Sequence, residues 1–167
     1  MYKIAQLLSL TLLLFGCSSL QKTDSLISNL NSIPLELTTH LGDQQQFIEG
    51  DEIQFLLSLG SDAYIYMVYL DAKNNITQIL PNKNQPGNFY FAGYFLTIPE
   101  YDNGYRFTIS QPFGNESVWV FASDQLITQS SLDSSMLDSI EDYKKKLQKL
   151  SKKAYGEYEL RIVTKKK

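Results

Sequence analysis

Few side chains in this 167-residue sequence are of a type that does covalent or metal chemistry, and their spacing limits what they can do. Cys17 is the only cysteine and His40 the only histidine. A Cys/His metal centre needs several such ligands, and Ser-His or Cys-His catalysis needs a partnered base, so neither chemistry is supported. His40 reads as a loop side chain. Glu49, Asp51 and Glu52 could offer carboxylate oxygens to calcium, but they lack the alternating ligand spacing of an EF-hand loop and read as a solvated turn. Glu100 and Asp102 could form a glycosidase-like acid pair, but carboxylates two residues apart are too common to identify one. No glycine-rich phosphate cradle is present. No metal and no cofactor are expected, and no catalytic residue is assigned. The glycosylation triplets at Asn75 and Asn115 carry no further argument.

Two surfaces could bind without catalysing. The first is the run Phe89-Tyr90-Phe91-Ala92-Gly93-Tyr94-Phe95, followed by Tyr101 and Tyr105. Outward-facing rings there would stack on sugars or anchor a protein, while the opposing reading makes most of them core strand residues. The second is a lysine series, Lys144, Lys145, Lys146, Lys149, Lys152 and Lys153, with Lys165, Lys166 and Lys167 at the end. A solvated helix face is its default reading. Contact with anionic headgroups or cell-wall polymer is the alternative. If the helix packs, Lys144, Lys145, Lys149 and Lys152 are expected to face solvent, because burying unpaired ammonium groups is costly.

The start of the chain decides where these surfaces sit. Met1-Tyr2-Lys3 precedes an apolar stretch from Ile4 to Phe15, too short to span a bilayer as a helix, and then Gly16-Cys17. The run Leu14-Phe15-Gly16-Cys17 resembles the lipobox of bacterial lipoproteins. That resemblance implies that residues 1–16 are a signal peptide and that Cys17 is acylated and becomes the mature N-terminus. An ordinary secretory signal with an incidental cysteine is the rival. Ser18 follows, rather than the aspartate that in the lipoprotein family retains proteins at the inner membrane, so an outer-membrane anchor is expected. Nucleic acid is excluded as a partner by that destination.

The mature chain has a net charge near −4 and the usual size of one domain. Residues 17–133 hold four basic side chains against thirteen acidic, and residues 134–167 hold ten against five. An acidic body thus carries a basic C-terminal end. Residues 17–32 are polar and serine-rich and read as a tether reaching roughly 20 Å. One helical turn through Leu26, Ile27 and Leu30 is an equal alternative there. From 33 onward short runs of strand length, some alternating and some apolar, lie between turn signals: Pro34–Thr38, Ile53–Leu59, Ala63–Leu70, Ile76–Leu80, Tyr105–Ile109 and Val118–Ala122. Ala63–Leu70 is apolar throughout and predicts a strand covered on both faces. Phe89–Ile98 predicts one bent strand or two short ones around Gly93. Residues 81–87 predict an exposed loop, and Pro112 to Glu116 a turn.

Met136, Leu137, Ile140, Tyr143, Leu147, Leu150 and Ala154 recur at three- and four-residue spacing, which predicts an amphipathic helix over about 135–155. Ser135 with Asp138 is its expected start and Gly156 its expected stop. Glu157 to Thr164 alternates again and predicts a closing strand. The expected fold is one mainly β domain over 33–167, an antiparallel sandwich with a C-terminal amphipathic helix and a closing strand.

The ordered set Glu49-Gly50-Asp51, Tyr64 to Asp71, Ile79-Leu80-Pro81-Asn82, Ile98-Pro99 and Pro112 to Ser123 resembles the bacterial domain of unknown function 4384. The resemblance covers about residues 35–125. It implies an immunoglobulin-like sandwich serving as a binding or accessory module of the envelope, with no catalytic residues to carry over. The expected function is therefore a non-catalytic lipoprotein that docks onto another envelope protein, such as part of a secretion or surface-assembly machine. The alternative is a module that holds cell-wall or surface polysaccharide. A hydrolase has almost no residues to support it.

Overall fold

Alternation of apolar and polar residues builds two facing sheets in the computed structural model, which describes residues 30–42, 46–132 and 139–167. The larger sheet has the order β1 (Asn31–Ser32), β12 (Ala154–Lys165), β11 (Asn115–Ser123), β6 (Ala63–Leu70) and β7 (Ile76–Leu80). β3 (Gln46–Ile48) joins it along β12, and β8 (Phe89–Tyr90) along β6. The smaller sheet runs β2 (Leu35–Thr39), β5 (Phe55–Leu59) and β9 (Leu96–Ile98). β4 (Glu52–Ile53) and β10 (Phe107–Thr108) form a separate ladder. The long ladders are antiparallel, but β1 and β3 both pair parallel to β12, so the sandwich is not purely antiparallel.

The core follows from strand period. Leu37, Phe55, Leu57, Leu59 and Ile98 of the small sheet face Ala63, Ile65, Met67, Val118, Val120, Ala122, Leu160 and Ile162 of the large one. Burial of each large apolar side chain contributes about 1.5–3 kcal/mol. β6 is covered on both faces, as its apolar run predicts. Its Ala63, Ile65 and Met67 enter this core, and Tyr66 and Val68 enter a second cluster on the outer face of the sheet.

That second cluster is roofed by α1 (Ile140–Leu150), whose Tyr143 and Leu147 pack on Phe121, Tyr66 and Tyr155. The helix is shorter than the periodicity predicts. Met136 and Leu137, and the expected start at Ser135 and Asp138, lie outside the described residues. Ser139 caps the described helix, its hydroxyl accepting the Asp142 N–H at 3.2 Å. At the other end the Ser151 hydroxyl donates to the Leu147 carbonyl at 2.9 Å and lies within hydrogen-bond distance of Ser123 Oγ, also at 2.9 Å. Ser151 has extended backbone, so the helix stops there, and Ala154 opens a strand instead of ending a helix. Gly156 is not the stop. It sits in β12, where an added Cβ would lie 2.2 Å from the Ile33 carbonyl oxygen. The expected closing strand is present as β12 and lies inside the large sheet, flanked by β11 on one side and by β1 and β3 on the other.

Other boundaries moved for similar reasons. Asn31 and Ser32, assigned above to the tether, pair with Ala154 and Tyr155. Leu30 packs on the second cluster, while Leu26 and Ile27 lie outside the described residues. The 81–87 loop is not wholly exposed, because Gln85 is buried, as is Asn88 just after it. Gln85 donates to the Tyr90 hydroxyl at 2.8 Å and accepts from Asn103 Nδ2 at 2.9 Å, tying its loop to β8 and to the loop after β9. Phe89–Ile98 resolves into two short strands in different sheets, β8 and β9. Residues Asn115 and Glu116 belong to β11 rather than to the preceding turn.

Candidate binding surfaces

Register places the surface residues. Tyr155, Ser123, Tyr64 and Phe89 lie side by side across β12, β11, β6 and β8, which defines one end of the sandwich. The β6–β7 hairpin at Asp71–Asn75 and the C-terminal lysines 165–167 lie at the opposite end. The two lysine groups that are neighbours in sequence are therefore separated by the length of β12.

Several predicted site residues have structural duties. His40 extends the β2 edge: its N–H donates to the Gln54 carbonyl, and its Nδ1 accepts the Gln54 N–H at 3.2 Å. Asp51 Oδ2 accepts the Ile48 N–H at 2.8 Å within a turn where Gly50 has φ of 90°. Among the described residues, no group of three or more His, Cys, Asp or Glu side chains could hold a metal ion. Glu100 and Asp102 lie in an exposed loop, where the Glu100 N–H reaches Gln85. Cys17 lies outside the described residues, and among the described helices none is long and apolar enough to cross a membrane.

Tyr105 is not a free surface ring. It is partly buried against the main core, and burial pushes its hydroxyl pKa up. Tyr94 and Tyr101 are exposed, at 72% and 77%. Phe91 and Phe95 are also exposed, at 63% and 77%, so the aromatic run splits between core and surface. Its outward part is ordered by contacts. The Phe89 ring lies 5.0 Å from Tyr64 and 5.4 Å from Phe91, and the Ala92 N–H donates to Asp62 Oδ1 at 2.8 Å.

The lysine series divides in the same way. Lys144 does not face solvent. Its side chain is only 17% exposed, with Nζ 2.9 Å from Glu157 Oε1 and 4.6 Å from the centre of the Trp119 ring. The ion pair and the ring offset the desolvation that the unpaired group would suffer. Lys145, Lys149 and Lys152 are exposed as expected, although Lys152 lies beyond the helix.

Two features escaped the sequence reading. The first is Glu116, buried in β11 and placed among inward residues by the same alternation that buries Val118 and Val120. It accepts hydrogen bonds from the Tyr69 hydroxyl and from Thr164 Oγ1, the latter at 2.7 Å. Desolvation raises its pKa, so its ionised form opposes folding as pH rises from the ordinary 4.5 toward the raised value. The second is a groove on the outer face of the small sheet. Glu36, Thr38, Leu56 and Ser58 floor it, and Phe95 and Tyr158 border it. Tyr158 comes from β12, so no local motif could have announced this pairing.

A search of curated proteins finds no significant match to the chain. A family model does match, over residues 46–125, which run from β3 through β11. That span supplies β6, β11 and most of the small sheet, while β2 and β12 from outside it complete the core with Leu37, Leu160 and Ile162. The matching model is that of the family described as a domain of unknown function (DUF4384), to which residues 46–125 of this sandwich are similar.

Proposed function

We propose that the protein is a non-catalytic, lipid-anchored accessory module of the bacterial envelope that docks a protein partner across the outer face of its small sheet. The observation that carries this reading is the groove bordered by Phe95 and Tyr158, rings from two distant parts of the chain that remain 77% and 38% exposed. Large rigid aromatics beside a partly apolar floor are the usual anchors of a protein interface. Tyr158 stands on β12 and Phe95 directly precedes β9, so strand backbone fixes where both rings begin, which lowers the entropy lost on docking. The anchor follows from the Leu14-Phe15-Gly16-Cys17 run.

Polysaccharide binding is the second reading. It is favoured by the hydroxyl and carboxylate groups of Thr38, Ser58 and Glu36 between the two rings. Crosslinking in intact cells, with the wild type beside a Phe95→Ser/Tyr158→Ser variant, separates them. Docking predicts one reproducible protein adduct that falls at least about tenfold in the variant, a loss typical of removing two interface anchors. Retention of the wild type on purified peptidoglycan, lost in the variant and without a protein adduct, would establish the second reading instead.

A further inference from the structure

We propose that the end of the sandwich where the chain enters the fold is a lipid-facing surface. Phe89, Phe91 and Tyr94 sit at headgroup level, and Lys149, Lys152 and Lys153 lie against anionic headgroups. The inference rests on the anchor at Cys17 and adds which surface of the module the membrane covers.

Three independent observations converge on this end. The first is chain entry. The Asn31 N–H donates to the Lys153 carbonyl at 2.7 Å, so Leu30 emerges beside the start of β12. Twelve residues separate Leu30 from Cys17, so the segment that leads to the anchor joins the fold at this end. This end is therefore held closer to the acyl chain than the hairpin at Asp71–Asn75.

The second is the aromatic corner. Tyr64, Phe89 and Phe91 form a contiguous series of edge and tilted ring contacts, and Phe91 and Tyr94 are mostly exposed. Phenyl and phenol rings in a short, pinned loop suit the boundary between headgroups and acyl chains. From β12 to β8 there are three strand spacings of about 4.8 Å, so this corner lies roughly 15 Å from the lysines. Both corners can then touch one plane.

The third is charge. α1 ends at this end, and Lys149, Lys152 and Lys153 are exposed and make no ion pair among the described residues. The acids nearby are occupied by backbone. Asp124 accepts the N–H groups of Lys152 and Lys153 at 3.0 and 3.1 Å, and Asp62 accepts that of Ala92. Their carboxylates thus cap the loops of this end instead of pairing with its ammonium groups. The ammonium groups are left to attract anionic lipid within a screening length.

The test uses the lipidated protein purified from membranes and placed on vesicles containing phosphatidylglycerol and a headgroup spin-labelled lipid. With Cys17 acylated, an introduced cysteine is the only free thiol. A fluorophore is attached at Tyr94→Cys in one sample and at Lys73→Cys, in the opposite hairpin, in another. The Tyr94→Cys probe should be quenched at least about threefold more than the Lys73→Cys probe. Adding Lys149→Gln, Lys152→Gln and Lys153→Gln should shrink that ratio by about half, as should high salt. Vesicle-bound protein with equal quenching at the two sites, or stronger quenching at Lys73→Cys, would overturn the orientation while leaving the anchor intact. Protein that carries no acyl chain and stays off the vesicles would overturn the anchor, and the proposal with it.

Discussion

Replacing Tyr66 with alanine is expected to remove about 3–5 kcal/mol of stability, a large share of the roughly 5–15 kcal/mol that holds a domain of this size. Tyr66 is fully buried, on the outer face of β6 beneath α1. Its hydroxyl donates to the Ile127 carbonyl at 3.1 Å and accepts the Ile127 N–H at 2.6 Å, fastening the segment after β11 to the sheet. Alanine would open a cavity and leave both backbone groups unpaired. Tyr66→Phe keeps the ring and loses only these bonds, so its cost should be about 1–3 kcal/mol. Urea unfolding of the two variants beside the wild type reads both values. Equal costs for alanine and phenylalanine would show that the ring itself contributes nothing, contrary to the packing described here.

The second large effect is expected from Gly156→Ala, a change of one methyl group. The new Cβ would sit 2.2 Å from the Ile33 carbonyl oxygen and 2.9 Å from Leu35 Cδ2, closer than any van der Waals contact. The backbone has to give. Strain of about 1–3 kcal/mol is the usual cost of such overpacking. If the strain is relieved by releasing β1, the burial of Ile33 is lost as well, another 1.5–3 kcal/mol or so. Hydrogen exchange distinguishes the routes, because release of β1 would expose the Asn31 and Ile33 amides, which donate to the Lys153 and Tyr155 carbonyls. Wild-type stability with intact protection at both amides would contradict the close approach of β1 and β12.

How much of this was legible in the chain depends on the range of the forces involved. The strands β2, β5, β6, β7 and β11 show in short alternating or apolar runs bounded by turn residues, because side chains two positions apart share a face. The two-faced burial of β6 shows for the same reason, in an unbroken apolar run. The helix shows in the spacing of Ile140, Tyr143 and Leu147. Its end does not, because Ala154 keeps the helical period while pairing with Asn31 and a hydrogen bond from the Asp124 N–H draw it into β12. Gly156 looked like a stop signal, and its actual reason is the Ile33 carbonyl, more than a hundred residues earlier in the chain.

The candidate surfaces divide along the same line. Tyr94 and Tyr101 are exposed as a binding role requires, but Tyr105 is held by the core, and nothing local separates the three. Lys144 belongs to the lysine series by sequence and to Trp119 and Glu157 by structure. The Phe95–Tyr158 groove joins β9 to β12 across the small sheet and had no sequence signal. Glu116 does have one, since it continues the inward alternation of β11 into a segment whose residue types predict a turn.

Docking and orientation both depend on an acyl chain at Cys17, so its direct measurement is the sharpest test of the account. Cells making the wild type or Cys17→Ser are fed a labelled fatty acid, and the protein is isolated and sized. The account predicts label in a wild-type protein shortened by 16 residues, and no label in a Cys17→Ser protein that keeps its full length. Label of equal strength in both, or an unlabelled wild type, would contradict it.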